Sequence, residues 1–543
     1  MRPCLLAIAL MSAGPLPSVA QTGAQAGATP AVSPDRPDRN PRTARERSRP
    51  ASTPHARARI APIAPFTLRA VQIERSSLPP AALEAAWRPF VGQRLDTPGL
   101  VRLTDALAAV YARNDIAIYT VLVPDQTFAD GVLRVRTLEG HVDEIRISGP
   151  TSRLDRELVD RYAAKLRAET PLRRSTLERQ ISLIRDIPGL DADMQLKNGQ
   201  GADGVRLDLV LTPHPVQVGL SINNRGTAYL GRTQAQADLY FNSLLRQGDR
   251  TRLTFAVPTD VERFQAYAIE HSQPIGADGL TVSANAGYLR TRPEGTDIRG
   301  HAKSAGVQLS YPLIRGYSRD VYVTLGLDGV DADNAFLGFT FSDERTRALR
   351  AALSYSAQTD RRLVYGSATL SQGIAGLGAR ATPGVSERDF RKLNARAGAN
   401  FAIADRWAVR FAAAGQWTGD RLAGTEQFTL GGDTFGRGYA ASIIAGDYGY
   451  AGSVEAAWRP PGLPTVLGGS EAYAFVDGGK VWYRGRLGAA TDSASLRSAG
   501  LGVRAAVAGK AVVQLEAAKP LSNSTPFLDD RGWRGVFAVR TLF

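Results

Sequence analysis

Two short stretches hold the residues whose types and spacing can do chemistry. The first, Leu430 to Tyr439, reads Leu-Gly-Gly-Asp-Thr-Phe-Gly-Arg-Gly-Tyr, four glycines and one arginine in ten residues. Gly431, Gly432, Gly436 and Gly438 permit positive φ, so the backbone can fold tightly on itself and carry Arg437 at its tip. The second, Phe475 to Gly479, reads as a strand end, Phe-Val-Asp-Gly-Gly, with one acid, Asp477, between apolar residues and a glycine pair. An arginine on a Gly-rich loop and an aspartate on a nearby strand can make a charge-assisted bidentate pair. The competing reading is a solvated hairpin tip and an ordinary turn aspartate.

Other chemistry finds little support. The five histidines, His55, His141, His214, His271 and His301, are scattered singly, without metal-ligand spacing. The single cysteine, Cys4, precludes a disulfide framework within the chain. No Walker A loop, dinucleotide fingerprint or G-x-S-x-G elbow is present. No catalytic residue, metal or cofactor is therefore expected, and an enzyme is the remotest reading. The net charge of +14 fits nucleic acid or an anionic membrane. The basic residues are spread out, however, and no helix-turn-helix, zinc-finger or RNP pattern appears, so nucleic acid is not an expected partner.

The elements that position the two stretches follow in chain order. Residues 1–20 read as a secretory signal peptide: Arg2, an apolar run from Leu5 to Met11, and Ser18-Val-Ala20 before Gln21. Residues 21–65 are low-complexity; from Asp35 to Arg59 they hold eight arginines and three acids among repeated prolines. That composition buries too little apolar surface to offset the entropy of ordering, so a disordered basic linker is expected. Residues 66–140 read as a compact β-α-α-β-β unit. Phe66–Ile73 alternates as a strand, and Leu100, Leu103, Leu107, Val110 and Tyr111 share one helical face. Residues 141–214 repeat the order, with helices over 154–166 and 175–187 that end at Pro188-Gly189. Two tandem α+β units are the reading, against one larger α+β domain.

From residue 215 to 543 helical periodicity gives way to alternation. Val321, Val323, Leu325 and Leu327 oppose Tyr322, Thr324, Gly326 and Asp328; Val513 and Leu515 oppose Gln514 and Glu516; the chain ends on the aromatic Phe543. The segments approach the ~10 residues that a tilted spanning strand needs, and small residues dominate the polar face. A soluble β-sandwich alternates too, but a tract of this length without an evident helix suits a large barrel better. A transmembrane β-barrel is predicted, because closure pairs every backbone group inside the bilayer. No segment reaches the ~18 uninterrupted apolar residues of a membrane-spanning helix.

Together these pieces resemble the outer-membrane transporters of two-partner secretion (TpsB proteins, the ShlB/FhaC/HecB-type haemolysin secretion/activation proteins) of the BamA/TpsB superfamily. The resemblance covers roughly residues 66–543. The two repeats look like polypeptide-transport-associated (POTRA) domains. Leu122-Val-Pro-Asp-Gln126 with Asp130-Gly131 and Glu139-Gly140 is similar to the first POTRA hairpin, and Asp186-Ile-Pro-Gly-Leu190 to a helix end of the second. Asn223-Asn-Arg-Gly226 resembles the start of the first barrel strand, and Gln273-Pro-Ile-Gly276 with Gly279-Leu280 an early hairpin. Gly431-Gly432, Arg437-Gly438-Tyr439 and Gly446-Asp447 align with the sixth extracellular loop. Gly436 departs from the family, which usually has an apolar residue before the arginine. Residues 21–65 show no amphipathic pattern for the helix that plugs many family barrels.

The resemblance implies sixteen strands, a loop folded into the barrel with Arg437 anchored to Asp477, and Phe543 as part of the outer-membrane insertion signal. Gly431, Gly432, Gly436, Gly438 and Tyr439 form the loop motif, and Phe475 and Gly479 flank Asp477 in the strand motif. It implies an outer membrane location in a Gram-negative bacterium, with the POTRA units in the periplasm. The implied partners are an unfolded TpsA-like exoprotein, outer-membrane lipid, and periplasmic chaperones and the barrel-assembly machinery during biogenesis. Two other functions stay open: an assembly factor that inserts other membrane proteins, and a passive porin. The cargo, whether adhesin, cytolysin or toxin, is not named by the sequence.

Overall fold

The computed structural model describes residues 62–543, apart from 129, 150–155, 202, 337–338 and 523–531. The expected signal peptide and the basic segment up to residue 61 lie outside the described residues. Two α+β units precede a closed barrel.

The first unit comprises β1 (Phe66–Thr67), β2 (Ala70–Glu74), α1 (Pro80–Trp87), β3 (Arg94–Leu95), α2 (Thr97–Arg113), β4 (Tyr119–Leu122) and β5 (Val132–Glu139). Its main sheet runs β2-β5-β4, with β2 parallel to β5 and β4 antiparallel. Helix α2 forms because Leu100, Leu103, Leu107 and Tyr111 recur on one face, and all four are fully buried. Burial of each such leucine contributes about 1.5–3 kcal/mol. The Asp96 carboxylate accepts the Gly99 N–H at 2.8 Å, satisfying a donor that the first turn leaves free. The continuous strand expected over Phe66–Ile73 is broken. The Leu68 N–H turns to the Gln93 carbonyl at 3.0 Å and that of Arg69 to Gly131 at 2.7 Å, so Leu68 drops into the core. Gly131 makes this approach possible: at φ +70 a Cβ would stand 2.6 Å from the Thr67 carbonyl oxygen.

The second unit comprises β6 (His141–Ser148), α3 (Glu157–Arg167), α4 (Arg174–Arg185), β7 (Leu190–Asn198) and β8 (Gly204–Pro213). Its sheet, β6-β8-β7, repeats the topology of the first. Helix α4, about 18 Å long at 1.5 Å per residue, is held at both ends. At its start the Asp115 carboxylate of the first unit accepts the Ser175 N–H at 2.7 Å and its hydroxyl at 2.5 Å. At its end Asp186 takes two hydrogen bonds from Arg315 of the barrel, 2.6 and 2.7 Å, and Arg315 also reaches Asp320 at 2.8 Å. The Tyr317 N–H donates to Glu178 at 3.2 Å, and Arg179 donates to the Asp278 carbonyl at 2.8 Å while lying over Tyr311. The helix therefore joins the first unit to the periplasmic turns of the barrel.

The barrel has sixteen antiparallel strands, from Val216–Asn223 to Arg534–Leu542. Alternation follows the sequence: Leu325 and Leu327 face outward, while Thr324 and Gly326 are buried. The last strand closes on the first, with Ala538 opposite Asn223 and Leu542 opposite Gly219. The terminal residue completes that seam: the Phe543 N–H donates to the Val218 carbonyl at 2.9 Å, and the Val218 N–H to Phe543 at 3.1 Å. Spanning strands near ten residues were expected, but Ile298–Arg315, Arg319–Phe336 and Phe339–Thr359 have 18, 18 and 21 residues. Their outward faces change from apolar Leu325, Leu327 and Leu349 to charged Asp331, Arg345 and Arg347, so they rise past the apolar band on the extracellular side.

Candidate functional site

The chain between strands Trp407–Thr418 and Tyr448–Trp458 folds into the barrel rather than out of it. The reason is composition. Phe428, Leu430, Tyr439 and Ile444 pack on the lumenal residues Ala414, Ala451, Val481 and Leu496. Within the loop, Phe428–Leu430 pairs with Ile444–Gly446 as a small hairpin. Gly431, at φ +105, lets the Ala440 carbonyl pass 2.2 Å from where a Cβ would be.

The structure brings Arg437 and Asp477 together, both buried, but not as the expected bidentate pair. Arg437 gives Asp477 one side-chain bond, from Nε at 3.2 Å. The other lone pairs of Asp477 go to the Gly436 N–H at 3.0 Å, the Arg437 N–H at 3.2 Å and the Ser498 hydroxyl. The tight turn leaves these peptide N–H groups without partners inside the loop, and an ionised carboxylate is the strongest acceptor in reach. The guanidinium fork is thus freed for two other acids: Nη1 donates to Glu455 at 2.9 Å and to Glu516 at 3.4 Å. The guanidinium carbon sits 3.3 Å from the centre of the Phe475 ring, a stacked cation–π contact.

The remaining motif residues surround this contact. The Gly432 carbonyl accepts from Arg225 at 3.0 Å. The Gly438 N–H donates to Ser498 at 3.1 Å, and the Tyr439 hydroxyl donates to the Arg497 carbonyl at 3.1 Å. Gly479 leaves room for Leu430, whose Cδ1 lies 2.8 Å from a notional Cβ. Phe543 lies apart, exposed at the seam.

Several partners were not singled out in the sequence. Glu455 also accepts from Arg504 at 2.6 and 2.8 Å and from Arg410 at 2.9 Å. Arg410 and Arg504 continue to Glu471, and Arg225 reaches Glu516 at 3.0 Å. Four guanidinium groups (Arg225, Arg410, Arg437, Arg504) and four carboxylates (Asp477, Glu455, Glu471, Glu516) form one charge-balanced network on the lumenal wall. A desolvated ionic cluster is tolerable only under such mutual pairing. The available signal was period two: Glu516 and Glu455 stand on the inward face among small residues.

Two further clamps hold the stem of the loop. Glu426, fully buried, receives Arg350 at 2.9 and 3.2 Å and Lys392 at 2.8 Å. Arg350 is itself bound by Asp328 at 2.5 and 3.0 Å and by Ser371 at 2.9 Å. Asp447 makes the bidentate pair, with Arg486 at 2.8 Å to each oxygen, and accepts the Leu422 N–H at 2.9 Å and the Arg484 N–H at 2.8 Å. Among the described residues no group of His, Cys, Asp and Glu is arranged to hold a metal ion.

Comparison with known proteins bears on the family and the fold. The profile of the haemolysin secretion/activation protein ShlB/FhaC/HecB family matches residues 205–505, and that of the ShlB-type POTRA domain matches residues 66–140. The outer membrane transporter CdiB of Escherichia coli is 26% identical over 450 residues, covering 76% of this chain and 72% of that protein. The heme/hemopexin transporter protein HuxB of Haemophilus influenzae (strain 86-028NP) is 22% identical over 453 residues, 80% of each. The solved structure of CdiB from Escherichia coli shares the fold, with a TM-score of 0.72 at 22% identity over 92% of this chain and 94% of that one.

Proposed function

The chain belongs to the haemolysin secretion/activation protein ShlB/FhaC/HecB family, and from that premise we propose how this outer-membrane transporter of two-partner secretion handles its cargo. The cargo is one TpsA-like exoprotein that reaches the periplasm unfolded. The α+β units receive it there as an extended segment. Strands β2 and β4 border the first sheet and β6 and β7 the second, and such edges take an added strand through main-chain hydrogen bonds. The cargo then passes through the barrel beside the clamped loop.

The observation that carries this reading is the contact of Arg437 with three acids on three strands: Asp477, Glu455 and Glu516. A loop held in the lumen at its tip, with its stem fixed by Glu426 and Asp447, leaves a defined wall for a passing chain. A passive porin has no need of it, nor of two docked periplasmic units. Comparing the culture supernatant and outer-membrane proteomes of the parent strain and a deletion of this gene tests the assignment. Loss of one large exoprotein with an unchanged outer membrane supports it. A general fall in barrel proteins would instead mark an assembly factor, and no change in either would leave the porin reading. Assistance by chaperones and the barrel-assembly machinery during insertion, with Phe543 in the insertion signal, belongs to the same proposal.

A further inference from the structure

Strands Glu471–Tyr483, Asp492–Val507 and Ala511–Pro520 turn Asp477, Ser498 and Glu516 to the lumen and Val476, Leu501 and Leu515 to the lipid. Towards the extracellular ends of the same outward faces, the apolar residues give way to Lys480, Arg497 and Lys519. Lys480 pairs with Ser495, two residues from Arg497, and Lys519 pairs with Ala499, two residues from Arg497 on the other side. The three cations therefore form a diagonal row across adjacent strands, each step roughly 7–8 Å.

Among the described residues no acid neutralises that row. Among the described residues none of the three has a carboxylate partner, and no acid lies on the outward face of these three strands. The far wall differs: there Lys303 faces Asp331, His301 faces Asp333, and Arg347 binds Asp331 at 2.6 Å. Aromatic rings mark the level of the row as the membrane boundary. The Lys480 ammonium lies 4.7 Å from the Trp482 ring, which stacks on Tyr448 at 5.3 Å, and the Lys519 ammonium lies 6.0 Å from Trp533.

Three like charges held together at a membrane interface make a site that attracts an anion. The outer leaflet of an outer membrane presents one in the phosphorylated glucosamine headgroup of lipopolysaccharide. We propose that Lys480, Arg497 and Lys519 are a docking row for the phosphates of lipopolysaccharide. The long side chains lay their stems on the apolar face and raise their charges to the headgroup level, where each phosphate accepts charge-assisted hydrogen bonds. A lipid docked there would brace the wall that bears Asp477, Ser498 and Glu516.

The test uses the full chain purified in detergent, with bisphosphorylated lipid A, dephosphorylated lipid A and inorganic phosphate as probes. The wild-type protein is expected to bind the bisphosphorylated lipid and to bind the dephosphorylated one more weakly. The triple variant Lys480→Gln, Arg497→Gln, Lys519→Gln is expected to lose about 100-fold in affinity, since each cation near an anionic surface is worth about fivefold. Lys303→Gln, whose lysine already faces Asp331, should change nothing. Equal lipid affinity in the triple variant overturns the proposal. So does inorganic phosphate binding at the row as tightly as the lipid. If the triple variant does not insert, the single glutamine substitutions decide, each expected to lose several-fold. The charge-keeping exchange Lys480→Arg, Arg497→Lys, Lys519→Arg must then retain binding, and its failure to do so sinks the idea.

Discussion

Asp477 holds the loop tip by its backbone as much as Arg437 holds it by its charge: the carboxylate accepts the peptide N–H groups of Gly436 and Arg437 together with the Arg437 Nε. The arginine is thereby free to bridge Glu455 and Glu516 on two other strands. Arg437→Ala is predicted to leave the barrel inserted, because its backbone ladder is untouched. It leaves buried Asp477 without its cation and takes one partner each from Glu455 and Glu516, however, a local cost of about 3–5 kcal/mol. Secretion of the partner exoprotein should fall at least about tenfold. Arg437→Lys should not restore it, because one ammonium cannot present a planar fork to three acids. Wild-type secretion by the alanine variant, measured beside heat-modifiable migration of the folded barrel, would remove Arg437 from the mechanism.

Gly436 immediately precedes Arg437 in the turn, and its φ is +75. Gly436→Val is predicted to destabilise the tip by about 1–2 kcal/mol or more, since a β-branched residue is strained in that region. Protease cleavage within 431–439 reads the effect. Unchanged protection would mean that the turn readily adopts another conformation.

Glu426 compensates Arg350 and Lys392 in the barrel wall. Glu426→Ala should release the stem of the loop and remove a buried carboxylate from both Arg350 and Lys392, at about 3–5 kcal/mol. Single-channel recording is the direct measurement, with larger and noisier conductance expected. A trace identical to wild type would show that the tip clamp alone holds the loop.

Helix α4 joins the first α+β unit, through Asp115 and Ser175, to the barrel, through Asp186 and Arg315. Asp186→Ala should uncouple the periplasmic units from the barrel. A broadened distance distribution between a spin label on α3 and one on the 316–318 turn is expected, with secretion reduced and insertion kept. A distribution as narrow as wild type would assign docking to Glu178 and Arg179 instead.

Phe543 supplies two backbone hydrogen bonds to Val218 at the seam. Removing it should lower the amount of inserted protein several-fold, read from outer-membrane fractions. Phe543→Ala keeps both backbone bonds, so a comparable loss in that variant would place the effect in the aromatic side chain.

How much of this was legible follows from what each kind of information can carry. The sequence by itself determined the order of parts. Leucines at helical spacing on α2, and strict alternation around Leu325 and Leu515, report which face is buried and which element results, because each pattern is local. It also singled out Arg437 and Asp477, since a cation among glycines and an acid in an apolar strand stand out against their neighbours. Only the tertiary structure decided what they do. Whether Asp477 meets a fork or two peptide N–H groups depends on the turn at Gly436, and no spacing reports that. Glu455, Glu516 and Arg225 lie 18, 79 and 212 residues from Arg437 in sequence. They converge on the loop because sixteen strands close into a barrel, so that inward side chains of distant segments share one enclosed lumen. Charge pairing acts through that space, not along the chain.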